Sequence, residues 1–340
     1  MNVTIKKIKE KTGFSITTIS QALNNPPGNR VKEKTRKLIL QAAKELNYTP
    51  NLAARALKTQ KMGMISVIIP DITNFIYPNI IRAIDRKMLQ NGYCVAFYDC
   101  NRELKNELLY IENSISKKMD GIIMAPTVSF AKYAEKLKNY PFVSLTSFKE
   151  DNKNGFSFNC ALPNPVNGFY KTTSHLIKTG HRKIAALLRT YDDLFEHRRI
   201  DGLKKAFSEN GLEFDKSLVL KIDGFDDKAA YDAVKEFLLK KPSFTAMVVY
   251  NDLMAMGAMN AILDSGLRIP EDVAVTGGDN IKISEYLKVP LTTYDINGYK
   301  VGEAAADLLL DIIKNDGKTI KPRKVLIEPD LIIRESSQKK

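Results

Sequence analysis

The chain has 340 residues, 44% of them hydrophobic, and a net charge of +13. No apolar run approaches the roughly 20 residues that span a bilayer, and no apolar signal region opens the chain, so the sequence reads as cytoplasmic and free of the membrane. Three cysteines without metal-ligand spacing (Cys94, Cys100 and Cys160) exclude a disulfide scaffold and are expected as buried, reduced thiols.

The charge is unevenly placed. Residues 1–60 carry 12 Lys and Arg against 3 Asp and Glu, which is +9 of the total. A polyanionic partner such as the DNA backbone explains this excess, and so does a solvated basic surface; pattern has to decide. Thr4 is placed to cap a helix Ile5–Thr12 that Gly13 ends, and Ser15 to cap a second helix, Ile16–Asn24, after a turn of about three residues. That spacing fits a helix-turn-helix. Ile19 and Leu23 then face inward against Val3, Ile5 and Ile8, while Ile16, Thr17 and Gln21 face out. The loop Asn25–Asn29 stops the second helix. A third, roughly Lys32–Leu46, is expected to pack Leu38, Ile39, Ala42 and Ala43 on the first two, with Asn29 as its candidate cap.

Val3–Ile8, Gly13-Phe14-Ser15, Thr18–Asn24, Thr35-Arg36 and the run Tyr48-Thr49-Pro50-Asn51-Leu52-Ala53-Ala54-Arg55-Ala56-Leu57 resemble the headpiece and hinge of the LacI/GalR family of bacterial transcription regulators, a resemblance that continues to about Ser336. It implies a homodimer on a palindromic double-stranded DNA operator. The implied DNA-contacting residues are Thr4, Ser15, Ile16, Thr17, Thr18, Ser20, Gln21 and Asn24, followed by Asn51, Ala54 and Leu57 of the hinge. A hinge of about eight residues is too short to be a stable helix alone, so folding is expected to accompany docking. In the family a hinge leucine wedges the central base step. Leu57 matches it, although an apolar residue covering the core would look the same.

Beyond the hinge, short apolar runs alternate with helix-length stretches. Strands are expected at Met64–Ile69, Tyr93–Tyr98, Gly121–Ala125, Phe142–Leu145, Ile184–Leu188, Ala246–Tyr250 and Val273–Thr276. Helices are expected at Pro78–Asn91, Glu103–Lys117, Val166–Thr179, Arg198–Asn210, Lys228–Lys240 and Leu253–Ser265. The repetition implies an α/β core of two doubly wound parallel-sheet subdomains, like periplasmic binding proteins. The expected division is a helix-turn-helix headpiece at 1–49, a hinge at 50–60, one subdomain from 61–160 with 291–320, and the other from 161–290 with 321–338. The chain is thus taken to cross near Asn159–Pro163, Pro290–Thr293 and Ile320.

Ligands of open parallel sheets sit beyond the carboxyl ends of the strands, which here bring up Asp71, Asn74, Asp99, Thr127, Thr146, Arg189, Asn251-Asp252 and Asp279-Asn280. The resemblance adds Arg198-Arg199-Ile200-Asp201-Gly202 as an Arg-x-x-Gly helix start, Asn251-Asp252-x-Met254-Ala255-x-Gly257, and Gly277-Gly278-Asp279-Asn280. The candidate effector-binding residues are Asn74, Tyr77, Thr127, Thr146, Arg199, Asn251 and Asp279, for a small molecule such as a sugar or sugar derivative. Arg199 and Asp279 offer a forked donor and an acceptor for sugar hydroxyls or purine edges, or else form a structural ion pair.

Departures from the family pattern occur in both the cleft and the headpiece, where Lys9 and Thr12 replace common alanines and Lys32 the usual serine cap. Gly278 stands where a large residue is common, Thr146 where sugar-responsive members carry an acid, and Phe75 where proline follows Asn74. Gln21 replaces an arginine that reads guanine; glutamine pairs naturally with adenine, and Ile16 can meet a thymine methyl, so A·T-shifted half-sites are expected.

His175, His181 and His197 form no metal or triad pattern, and His181 reads as structural. No phosphate-binding loop, nucleophile elbow or cofactor fingerprint occurs, so neither an enzyme nor a cofactor is expected. The alternative is a sugar-binding protein of a transport system. It shares the core but requires an export signal and no basic head.

Overall fold

The computed structural model describes residues 4–24, 31–48, 62–147, 158–190, 194–315 and 321–338, with the side chains of residues 24 and 194–198 left aside. The chain divides into two compact units, residues 1–62 and 63–340.

In the first unit, α1 (Ile5–Thr12), α2 (Ile16–Asn24) and α3 (Glu33–Glu45) enclose a small core of Ile8, Ile19, Ala22, Ile39, Ala42 and Ala43. Gly13 ends α1 at φ 74°, a left-handed turn that glycine adopts without a Cβ penalty. Ser15 caps α2 by accepting the Thr18 amide at 3.1 Å. Thr4 occupies the cap position of α1, but its side chain makes no capping bond. Leu38 corrects the expected core: it is 54% exposed, because Ile39, Ala42 and Ala43 define a stripe of α3 that leaves Leu38 on the solvent side. Lys11 and Glu45 pair at 2.6 Å and tie α1 to α3.

The second unit begins with β1 (Met64–Ile69), α4 (Tyr77–Gln90), β2 (Cys94–Asp99), α5 (Leu104–Ser116), β3 (Gly121–Met124), α6 (Ala134–Leu137), β4 (Phe142–Ser144) and β5 (Asn159–Pro163). It continues with α7 (Pro165–Lys178), β6 (Ile184–Arg189), α8 (Leu194–Glu209), β7 (Val219–Ile222), α9 (Asp227–Leu239), β8 (Ala246–Val249), α10 (Asp252–Leu263) and β9 (Ala274–Thr276). It closes with β10 (Thr293–Asp295), α11 (Gly298–Lys314), β11 (Lys324–Ile327) and β12 (Asp330–Ile332). One sheet runs β11-β5-β4-β3-β1-β2 and another β7-β6-β8-β9, with parallel pairing throughout.

Each sheet is covered on both faces. In β1, Ile65, Val67 and Ile69 pack toward α4 and α11, whereas Ile68 faces the cluster around Ile111, Tyr133 and Phe142. That period of two on a strand buried from both sides explains its continuous apolar run.

The crossings between the lobes differ from those expected. Thr292 bridges to Thr276 beside the second sheet, and the side chains of Tyr294 and Ile296 join the second lobe's core, so the chain returns to the first lobe only at α11. β11 pairs with β5 in the first sheet, so the last crossing follows Ile327 rather than falling near Ile320, and β12 then pairs antiparallel with β10. Position 320 itself lies outside the described residues. Cys100 and Cys160 are buried but Cys94 is exposed, since it opens the edge strand β2; all three are free thiols. His181 is buried against the Thr245 hydroxyl at 2.9 Å.

Candidate functional site

Helix α2 turns one face to the core and leaves another exposed. Ile19 and Ala22 are buried, while Ile16 is 43% exposed beside the exposed Thr17. Ser20 and Gln21 lie one turn further along and are half-buried. The Ser15 and Thr18 hydroxyls meet at 2.8 Å, so both help to close the helix N-terminus. Asn24 ends α2; Asn51, Ala54 and Leu57 lie outside the described residues.

In the second unit, a cavity of about 330 Å³ opens between the lobes. Asn74, Tyr77, Thr127, Thr146, Arg199, Asn251 and Asp279 all border it. A neighbouring cavity of about 320 Å³ shares Asn74, Arg102, Phe225, Asn251 and Asp279.

Several elements deliver these side chains for separate local reasons. Asn251 caps α10, its Oδ1 accepting the Met254 amide at 2.9 Å, which leaves its side-chain amide hydrogens for a ligand. Arg199 is carried by α8, which lies close against α7: a Cβ on Gly202 would stand 2.2 Å from the Val166 carbonyl oxygen. A Cβ on Gly257 would likewise stand 1.9 Å from the Asp227 carbonyl oxygen, seating α10 on α9. The glycines of both motifs therefore serve helix packing, and the packing aims the polar residues.

Asp279 sits at φ 100° and Asn280 at φ 52°, a loop held by the Asp279 amide on the Tyr294 carbonyl at 2.9 Å and the Asn280 side-chain amide on Asp295 at 3.0 Å. Beneath it the buried Asp252 accepts the Ile281 amide at 2.8 Å and the Thr293 hydroxyl at 2.5 Å. Gly278 has a steric reason: a Cβ there would fall 2.5 Å from the Tyr294 ring, which fills the space a larger residue would need.

Removal from water raises the Asp279 carboxyl to about 7, with Arg199 opposing and Asp295 adding to the shift. Burial, reinforced by Asp279, also holds Asp252 well above the usual carboxylate range. Two carboxyls thus share a poorly hydrated corner with a guanidinium nearby.

Sequence reading overlooked Phe225 and Tyr250, and with them Arg102. The Arg102 and Arg189 guanidinium carbons lie 4.4 and 3.5 Å from the Phe225 ring centroid. Arg102 also grips Asp71 at 3.0 Å, so a first-lobe ion pair leans on a second-lobe ring across the cleft. Tyr250 was absorbed into the expected strand, although β8 stops at Val249. Phe225 follows β7, whose sequence Val-Leu-Lys-Ile reads poorly as a strand.

Among the described residues, no group of three His, Cys, Asp or Glu could hold a metal ion, and no helix is long and apolar enough to cross a membrane.

A three-helix headpiece with an outward-facing second helix, followed by a two-lobed core with a polar cleft, defines a ligand-responsive DNA-binding protein. Residues 4–51 match the bacterial regulatory proteins of the lacI family, and residues 173–337 match the periplasmic binding protein-like domain. The HTH-type transcriptional repressor PurR of Mannheimia succiniciproducens is 30% identical over 341 residues, covering 99% of both chains. The HTH-type transcriptional regulator RegA of Clostridium saccharobutylicum is 30% identical over 339 residues, with 99% of this chain and 100% of that one covered.

Among solved structures, the lac repressor dimer bound to operator and the anti-inducer ONPF aligns with a TM-score of 0.87 at 25% identity, over 99% of each chain. A LacI family regulator of Enterococcus faecium with bound ribose aligns with a TM-score of 0.70 at 27% identity, over 80% of this chain and 98% of that one. This chain belongs to the LacI family of bacterial transcriptional regulators. It is a DNA-binding regulator of the LacI repressor type that responds to a small molecule, a class that is not enzymatic.

Proposed function

We propose that the protein is a repressor acting as a homodimer on a roughly palindromic operator, and that a sugar or sugar derivative in the interlobe cleft controls it. The observation that carries this reading is the convergence of Asn74, Tyr77, Thr127 and Thr146 from one lobe with Arg199, Asn251 and Asp279 from the other around one cavity. Such a ligand binds differently to open and closed lobes, which is the condition for it to shift a two-state regulator. Hydroxyls find a forked donor in Arg199 and an acceptor in Asp279, while Phe225, Tyr250 and Tyr77 supply apolar faces for ring C–H groups. The Enterococcus faecium regulator solved with bound ribose supports a sugar as the effector class.

On DNA, Thr4, Ser15, Ile16, Thr17, Thr18, Ser20, Gln21 and Asn24 form the proposed contact set of the headpiece, with Asn51, Ala54 and Leu57 acting from the hinge. The test is a thermal-shift screen against sugars and their phosphates, nucleosides and purines, followed by operator titration with and without each hit. A sugar that binds and changes operator affinity is the expected result. Hits confined to compounds unrelated to sugars would overturn the effector class.

The hinge role has its own measurement: Leu57→Ala should weaken operator binding by about tenfold and leave effector affinity unchanged. Equal operator affinity in mutant and parent would remove the wedge.

A further inference from the structure

Glu107 on α5 is fully buried, yet it is not among the residues that border the cleft cavity. One carboxylate oxygen accepts the Thr127 backbone N–H at 3.0 Å, and the other accepts the Tyr133 hydroxyl. A carboxylate is costly to bury unless hydrogen bonds replace its water, and a site that retains one invites a functional explanation. Burial raises the Glu107 carboxyl, and the bonds from Tyr133 and Thr127 pull it back toward ionisation.

The same peptide unit is held from its other end. The Thr146 hydroxyl donates to the Pro126 carbonyl at 3.2 Å. The C=O of Pro126 and the N–H of Thr127 belong to one planar amide, so Thr146 and Glu107 together fix the orientation of that plane. Upstream, the Ala125 amide bonds to the Ile68 carbonyl at 3.0 Å, so the loop leaves the sheet in register and is oriented again two residues later. Pro126, Thr127 and Thr146 all border the cavity.

We propose that Glu107 is a positioning residue for the effector cleft: its carboxylate locks the Pro126–Thr127 peptide plane and thereby sets the first-lobe wall against which a ligand rests. The ligand part of this inference depends on the cleft being the effector site. A carboxylate that served only to stabilise the core would affect the lobe as a whole, whereas a positioning carboxylate acts on one loop.

The test uses the full chain and three variants. Glu107→Gln keeps an acceptor at the same reach, Glu107→Met fills the space without one, and Glu107→Asp draws the acceptor back by one methylene. In the ligand-free protein, amide exchange at Thr127 should be about tenfold faster in E107M and E107D and unchanged in E107Q, with Val67 and Val143 of the same sheet keeping their rates. Unchanged Thr127 exchange in whichever of E107M and E107D folds would overturn the proposal. So would equal acceleration at Val67 and Val143, or failure of both variants to fold.

A parallel titration uses D-ribose as the probe. Affinity should drop about fivefold to tenfold in E107M and E107D and stay within about twofold in E107Q. Parent-like ribose affinity in E107M would also overturn the proposal. If the parent does not bind ribose, or binds it no better than Asp279→Asn does, the reading of the cleft as a ribose-type site fails by itself. The exchange measurement then still decides what Glu107 does.

Discussion

Arg199 and Tyr250 meet in two ways: the guanidinium Nη1 donates to the Tyr250 hydroxyl at 2.7 Å, and its central carbon lies 3.8 Å from the Tyr250 ring centroid. The ring and its hydroxyl together orient the guanidinium at the cavity wall, which limits the entropy a ligand has to remove from that side chain.

Arg199→Lys keeps the positive charge but loses the planar fork and its stacking. Effector affinity is expected to fall by about 10- to 100-fold, the equivalent of one or two charge-assisted hydrogen bonds. Operator affinity of the effector-free protein should stay at the parent's value. Calorimetry with an effector hit and anisotropy with operator check both halves; unaltered effector affinity would assign Arg199 to packing alone.

Removal from water raises the Asp279 carboxyl to about 7, so the cleft is expected to be pH-sensitive. As an acceptor for ligand hydroxyls it is best ionised, so effector affinity should rise from pH 6 to pH 8 and then level off. Stability moves the other way. A carboxyl with a folded-state value above its unfolded one binds more protons when folded, so its contribution falls as pH climbs from the ordinary carboxylate range to about 7. Asp279→Asn should therefore melt higher than the parent at pH 8, on the order of a few degrees, and lose that advantage near pH 4. Melting curves and titrations across this range are the measurement, and a pH-independent difference would contradict the assignment.

In the proposed contact set, Gln21 and Ile16 are the residues expected to select the operator. Gln21→Arg should move the preferred base pair at the facing position from A·T toward G·C, with a discrimination of about 1–3 kcal/mol. Selection from random duplexes with parent and variant is the comparison to make. A parent that already demands G·C there would refute the assignment.

Gly202 sits at a tight helix contact beside the cleft, since an added Cβ would stand 2.2 Å from the Val166 carbonyl oxygen. Backbone cannot yield as a flexible side chain does, so Gly202→Ala should separate α7 from α8 and destabilise the core by about 1–3 kcal/mol. Effector affinity should fall with it, because α8 carries Arg199. A variant that melts like the parent would show that the two helices part without cost.

The elements most legible in the sequence were those with strong local signals. α1 and α2 occupy the residues expected of them because an αL glycine and a serine cap mark their ends. The strands flanked by long amphipathic helices were legible from their apolar runs. By contrast, β10, β11 and β12 are three or four residues long, the last two partly exposed, and they are strands only because their partners lie far away in the chain. Local pattern carries no trace of that pairing, so two crossings were misplaced. Leu38 was misassigned for a related reason: an apolar residue one position off a helical stripe has the right chemistry on the wrong face.

The sequence by itself determined the kind of protein. Helix caps, the basic headpiece and the spacing of motifs act locally, and they point to a DNA-binding head before an α/β ligand-binding core. Tertiary structure decided the cleft. Only folding brings Arg102 of one lobe over Phe225 of the other, sets Tyr250 behind Arg199, fills the space above Gly278 with Tyr294 and places Glu107 under the Thr127 amide. These relationships join residues from 16 to more than 100 positions apart, and they depend on packing distances of a few ångströms that no local pattern encodes.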